Sequence, residues 1–182
     1  MVATGNEQEW VLRSRHGDLE AFTALIRAHQ RMIHALTYRM TGSLADAEDL
    51  AQETFIQAHQ QLGQFRGESS FATWLCRIAV NRCLNWRKRD ARRARLHEEW
   101  AREQNAGSAP DESRAQRVQE AVLQLKPKQR AAVVLTVYEG MNHAQAARVL
   151  GCSETTVSWR LFTARAKLKR LLADTQAHRP AA

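Results

Sequence analysis

The sequence predicts an all-α fold, built as two small helical domains joined by a flexible linker. Three observations carry this reading. Apolar positions recur at steps of three and four along most of the chain. No stretch of useful length alternates as a half-buried strand does. Chain breakers are few, 8 Gly and 3 Pro in 182 residues, which suits long helices joined by short turns.

The first long helix begins after Asp18. Leu19, Phe22, Ile26, His29, Ile33, Leu36 and Met40 share one face, and Gly42 closes it. Ser43 caps the next helix, with Asp46 in its first turn. That helix carries Leu50, Phe55, Ala58 and Leu62 toward the core. The stretch GQFRGESS, 63–70, breaks the pattern with two glycines and two serines. A further helix starts near Ser70 and runs to about Arg93. Polar, acidic residues with Gly107 and Pro110 follow over 98–113, the composition of a tether. Helical segments then cover 114–125, 127–138 and 142–150, with Pro127 in a first turn, where proline is tolerated. The expected layout is a domain over 1–95, a linker over 96–113, a second domain over 114–175 and a tail over 176–182.

Composition narrows the function. Lys and Arg number 27 against 19 Asp and Glu, a formal charge of +8, which points to a polyanion and first to nucleic acid. No apolar run approaches the ~20 residues of a spanning helix, so membrane insertion is not expected. The start, MVATGNEQEW, has neither the basic nor the apolar region of a secretion signal. Cys76, Cys83 and Cys152 are an odd set at no zinc-like spacing and suit a reducing cytoplasm. There is no Gly-rich phosphate loop, no metal-ligand spacing and no nucleophile–base set, so neither an enzyme nor a cofactor is expected.

Residues 142–168 have helix-turn-helix anatomy. Asn142 caps the first helix with Gln145 at the reciprocal position, Gly151 permits the turn, and Ser153 caps the second helix. Val157, Leu161, Ala164 and Leu168 face the core. Thr155, Thr156, Ser158, Trp159, Arg160, Thr163 and Arg165 are left on other faces. Hydroxyls and arginines near the helix start reach base edges in a major groove, while Lys167, Lys169 and Arg170 meet phosphates. The bland alternative is a basic, solvated helix on an ordinary bundle.

Two further patterns lie upstream. On a helix over 71–89, Trp74, Arg77, Asn81, Asn85 and Lys88 form a stripe, and 77–95 holds eight Arg or Lys against Asp90. Such a stripe suits DNA with an opened strand, because Asn pairs with base edges and an aromatic stacks on an unpaired base. The glycine and serines before it can line a pocket for a flipped base. Over 46–55, Asp46, Asp49 and Glu53 share a face, with Glu48 and Gln52 adjacent. DNA repels such a patch, so it reads either as a dock for a basic protein or as a solvated face.

Together these segments resemble a known family. DAEDLAQETFIQAHQQLGQFRGESSFATWLCRIAVNRCLNWRKR resembles region 2 of an extracytoplasmic-function sigma factor, and LKPKQRAAVVLTVYEGMNHAQAARVLGCSETTVSWRLFTARAKLKRLL resembles its region 4. The resemblance implies an alternative sigma factor, which binds RNA polymerase core and directs it to promoters. It implies that Asp46, Glu48, Asp49, Gln52, Glu53 and Phe55 hold the β′ clamp helices, with the β flap as a second polymerase contact. Arg66, Ser69, Ser70, Trp74, Arg77, Asn81, Arg82, Asn85 and Lys88 would read and melt the −10 element. Ser153, Thr155, Thr156, Ser158, Trp159, Arg160, Thr163, Arg165 and Lys167 would read the −35 element. An anti-sigma factor is the implied regulator, and the free protein is expected to be a monomer. The family pattern in the recognition helix, Val-(Lys/Arg)-Ser-Arg-x-x-Arg-Ala-Arg, is met at Val157, Arg160, Ala164 and Arg165. It departs at Ser158, Trp159 and Thr163, where Lys or Arg, serine and arginine are usual. Trp159 can pack on sugar or a thymine methyl, or face a regulator. The rival reading is a stand-alone helix-turn-helix regulator, which leaves 46–95 without a role.

Overall fold

The computed structural model describes residues 4–97 and 114–177, with side chains over 6–87 and 115–173. All regular structure among these residues is helical. The first four helices are α1 (Thr4–Arg15), α2 (Leu19–Thr41), α3 (Leu44–Gln61) and α4 (Phe71–His97), with a short 3₁₀ turn at Leu62–Gln64. The second group is α5 (Arg114–Leu123), α6 (Pro127–Val133), a single π turn at Val134–Tyr138, α7 (His143–Leu150) and α8 (Glu154–Ala177). The expected linker over 98–113 lies outside the described residues. Helix α4 reaches His97, four residues beyond the expected end near Arg93. Helix α1 was not foreseen, because its sequence has little apolar face. It is held by Val11 in the core and by Glu7, whose carboxylate pairs with His29 Nε2 at 3.0 Å.

The caps follow the sequence. Asp18 accepts from Glu20 N and Ala21 N at the start of α2, and Gly42 closes it at φ 80° with its N–H on Tyr38 O. Ser43 Oγ accepts from Asp46 N at 3.3 Å. On α2 the predicted stripe is buried at Phe22, His29, Ile33, Leu36 and Met40, but Ile26 is half-buried and Leu19, the first residue of the helix, is exposed beyond the packed face. Leu25, Ile33, Leu36 and Met40 are fully enclosed, each worth about 1.5–3 kcal/mol of removal from water. On α4, Phe71, Leu75, Cys76, Ile78, Ala79 and Cys83 are buried, while Trp86 is half-buried. Burial pushes the Cys76 and Cys83 thiols up to about 12, so both behave as small core residues.

The two helical groups pack on one another. One hydrophobic cluster runs from α2 and α4 into α6, α7 and α8, with α4 against α7 and α2 against α5. Arg130 of α6 stands at this junction with no exposed surface. Among the described residues its guanidinium has no acidic partner. It donates instead to carbonyls at two helix ends: Met40 O of α2 at 2.5 Å, Val122 O at 3.1 Å, Leu123 O, and Leu125 O at 3.4 Å. Carbonyls at a helix C-terminus carry partial negative charge, so they substitute for a carboxylate. Burial lowers this group to about 10. Arg39 of α2 lies 4.4 Å over the Tyr138 ring and pairs with Glu139 at 3.7 Å, and Gln119 Nε2 donates to Tyr38 O. The π turn brings Tyr138 and Glu139 to this edge.

Candidate nucleic-acid interface

Helix α3 presents two acidic edges rather than one. Glu48, Gln52 and Phe55 line a groove against Ile26, Arg31 and His34 of α2, with a volume of about 490 Å³. Phe55 is half-buried and anchors the groove floor, while Glu48, Asp49 and Gln52 are exposed. Leu44 and Ile56 add exposed apolar surface on the same helix. Glu53 turns the other way, toward α4. There it pairs with Arg82, whose Nε also donates to Gln57 Oε1 at 2.8 Å. Two residues expected at different surfaces, Glu53 and Arg82, are thus joined to each other. Asp46 keeps its place in the first turn.

The segment before α4 forms a cavity of about 450 Å³. Arg66, Gly67, Ser69 and Ser70 form one wall, and Glu7, Val11, Leu12 and Arg15 of α1 form the other. Gly67 makes the turn at φ 75°, a conformation open to glycine. Ser70 Oγ accepts from Thr73 N at 3.2 Å and so caps α4. Arg66 is exposed beside Glu68. Trp74 is half-buried and packs with Phe65 and Phe71, ring centroids 5.2 and 5.5 Å apart. That cluster holds Trp74 against Phe65 and Phe71, which themselves line the cavity, rather than leaving it a free stacking platform. Arg77, Asn81 and Asn85 are exposed at steps of four along α4, as the stripe requires. The Lys88 side chain lies outside the described residues.

In the second domain the helix-turn-helix forms as the capping pattern dictates. Asn142 Oδ1 accepts from Gln145 N at 2.9 Å, and Asn142 N donates to Gln145 Oε1 at 3.0 Å. Gly151 turns at φ 58°, and Ser153 Oγ accepts from Thr156 N at 3.2 Å. Val157, Leu161 and Ala164 are buried. The hydroxyls expected at base edges already have partners. Thr155 and Thr156 meet Ser153 Oγ, each at 2.8 Å. Ser158 donates to Glu154 O and lies 3.0 Å from His143 Nδ1. Thr163 turns inward, accepting from Gln129 Nε2 of α6 at 2.8 Å. Lys167 Nζ donates to Gln124 O at 2.6 Å, and Arg160 Nη1 approaches Cys152 Sγ at 3.4 Å. Arg165 and Trp159 are exposed, and so is Phe162, which the sequence reading passed over although it lies three residues beyond Trp159 on the same face.

The assembly is a basic face on α4 beside a cavity walled by α1, a second basic face on α8, and an acidic helix α3 whose groove against α2 holds Glu48 with Arg31 and His34. Among the described residues no helix is long and apolar enough to cross a membrane. Family models for Sigma-70 region 2 and for Sigma-70, region 4 match residues 25–93 and 115–168. The chain is 38% identical over 159 residues to the ECF RNA polymerase sigma factor SigM of Mycobacterium tuberculosis, covering 86% of this chain and 79% of that protein. It is 32% identical over 187 residues to the RNA polymerase sigma-H factor of Pseudomonas aeruginosa, covering 94% and 96%. Its fold resembles that of CnrH in complex with the cytosolic domain of CnrY, with a TM-score of 0.71, 28% identity, and coverage of 93% of this chain and 98% of that one.

Proposed function

The chain belongs to the sigma-70 family, as an ECF RNA polymerase sigma factor that directs transcription initiation, and from that premise we propose how its surfaces divide the work. The α2–α3 groove, with Asp46, Glu48, Asp49, Gln52 and Phe55, docks the β′ clamp helices of core polymerase, and the second domain meets the β flap. Exposed carboxylates around a half-buried Phe55 match the usual build of a docking site, an apolar anchor in a polar rim. Arg77, Asn81 and Asn85, with the 65–73 segment, hold the −10 element, and the cavity beside Ser69 and Ser70 takes an unpaired base. Helix α8 reads the −35 element. The observation that carries this division is the position of an acidic helix directly beside a basic one, since a single DNA surface has no use for the acidic face. A stand-alone regulator leaves that face idle.

Closure of the two domains bears on this function. Elements some 25 base pairs apart lie roughly 85 Å apart along B-DNA at about 3.4 Å per pair. A compact chain of this length has a radius of gyration of about 16 Å. Both faces therefore meet both elements only after the α4–α7 contact opens. Free protein binds promoter DNA poorly, and polymerase supplies the scaffold that holds both domains at the right separation. An anti-sigma factor is the regulator this reading expects, acting in the cytoplasm. The relative CnrH, solved with the CnrY cytosolic domain bound, supports a protein partner of this kind.

The test is run-off transcription with purified bacterial core on the upstream region of the gene, with core binding measured in parallel. A transcript that needs this protein, and is lost with Asp49→Arg and with Asn81→Ala, supports the division. Loss of core binding in Asp49→Arg but not in Asn81→Ala separates the two surfaces. Failure of the wild-type chain to bind core would sink the reading.

A further inference from the structure

The two largest side chains on the outer face of α8 are apolar. Trp159 is 64% exposed and Phe162 73% exposed. Three residues apart, they form one patch on a single helix face. Val157, Leu161 and Ala164 are buried on the opposite face, so this patch stands farthest from the domain core. In a helix laid into a groove, that is the part facing the groove floor. The polar groups around it are engaged within the chain: Thr155 with Ser153, Ser158 with Glu154 O and His143, Thr163 with Gln129. What remains to touch a base edge at the centre of the face is indole and phenyl.

We propose that Trp159 and Phe162 are specificity-determining residues that read the 5-methyl groups of adjacent thymines on the floor of the major groove. The inference rests on the −35 role of α8 given above. A thymine methyl is the apolar group a base pair displays in that groove, and aromatic side chains are suited to it. Charge favours DNA over an apolar protein surface. Arg165, Lys169 and Arg170 are exposed and flank the patch, with Glu154 as the acid at the helix start. Those cations meet the phosphates that border a groove. Arginine–guanine pairing is absent at position 163, because threonine stands there and is turned toward α6. The upstream element read by this chain is therefore rich in A·T pairs at its centre.

The test uses holoenzyme assembled from the full chain and bacterial core. It selects heparin-resistant complexes from a random duplex pool, with wild type, Trp159→Ser and Phe162→Ala in parallel. Wild type is expected to enrich an upstream element with adjacent thymines. Replacing those thymines with deoxyuridine weakens the complex about four-fold per methyl removed. Both variants lose the thymine–deoxyuridine difference and relax the upstream element, while the downstream element is unchanged. Equal binding of deoxyuridine duplexes would overturn the inference and leave the sigma reading intact. The same upstream element selected by the variants would also overturn it, and would mark the patch as a protein-facing surface. No DNA enriched by any chain would remove both.

Discussion

Arg82 of α4 crosses the first domain to pair with Glu53 of α3, with Gln57 Oε1 accepting from the same guanidinium at 2.8 Å. One residue lies on the helix proposed to touch DNA, the other on the helix proposed to touch polymerase. The pair is half solvated, with side chains 31% and 50% exposed, so water screens most of its attraction.

A double-mutant cycle measures the link. Arg82→Ala and Glu53→Ala are expected to couple by about 0.5–1 kcal/mol in urea unfolding, the range of a partly exposed, hydrogen-bonded pair. Additivity within error would show that the two helices are held by the apolar core alone.

Arg130 is expected to matter far more. Arg130→Met keeps volume but strips donors from carbonyls of Met40, Val122, Leu123 and Leu125. Buried acceptors left unsatisfied cost about 1–3 kcal/mol each, so a loss of at least ~3 kcal/mol is expected. Because Met40 lies in the other domain, the radius of gyration from small-angle scattering should also rise. An unchanged radius would show that the domains close without this contact.

Two glycines with the same backbone sign make a controlled comparison. Gly42 and Gly67 sit at φ 80° and 75°, and a Cβ at Gly42 would clash with Leu123 Cδ1 while one at Gly67 would meet nothing within 4 Å. Both alanine variants bear the left-handed strain of about 1–2 kcal/mol. Gly42→Ala should cost more by the displacement of Leu123, seen as the larger fall in Tm. Equal falls would mean that Leu123 moves aside freely.

Glu139 is expected to give the closed form a pH dependence. Burial lifts its carboxyl above the ordinary range, against the pull of Arg39. A raised folded pKa means that the native state holds the proton longer, so this group's contribution is full below the unfolded pKa and is lost as pH rises through the folded one. Urea midpoints of wild type and Glu139→Gln should therefore diverge as pH rises above the ordinary carboxylate range, with wild type losing ground at the higher pH. Parallel midpoints would show that Arg39 fully compensates the burial.

Much was legible before any coordinates. Helical period, caps and breakers are local properties, so the buried positions from Phe22 to Met40 of α2 (half-buried Ile26 apart), the Asn142–Gln145 box and the Gly151 turn follow from the residues themselves. Helix α1 was not legible, because its hold on the domain comes from Val11 and from Glu7 meeting His29, 22 residues away. Phe162 was overlooked at Trp159's side, although the period that exposes one exposes the other.

The sequence by itself determined the all-α class, the order of the acidic and basic helices, the exposed Arg77, Asn81 and Asn85 stripe of α4 and the buried Val157, Leu161 and Ala164 face of α8. Periodicity and charge are enough for that. Only the tertiary structure decided who pairs with whom. It took Arg82 toward Glu53, committed Thr163 and Lys167 to carbonyls and amides of their own domain, and set Arg130 across the domain junction. Those outcomes turn on contacts between residues distant in the chain, where a long side chain has several acceptors in reach and burial selects among them.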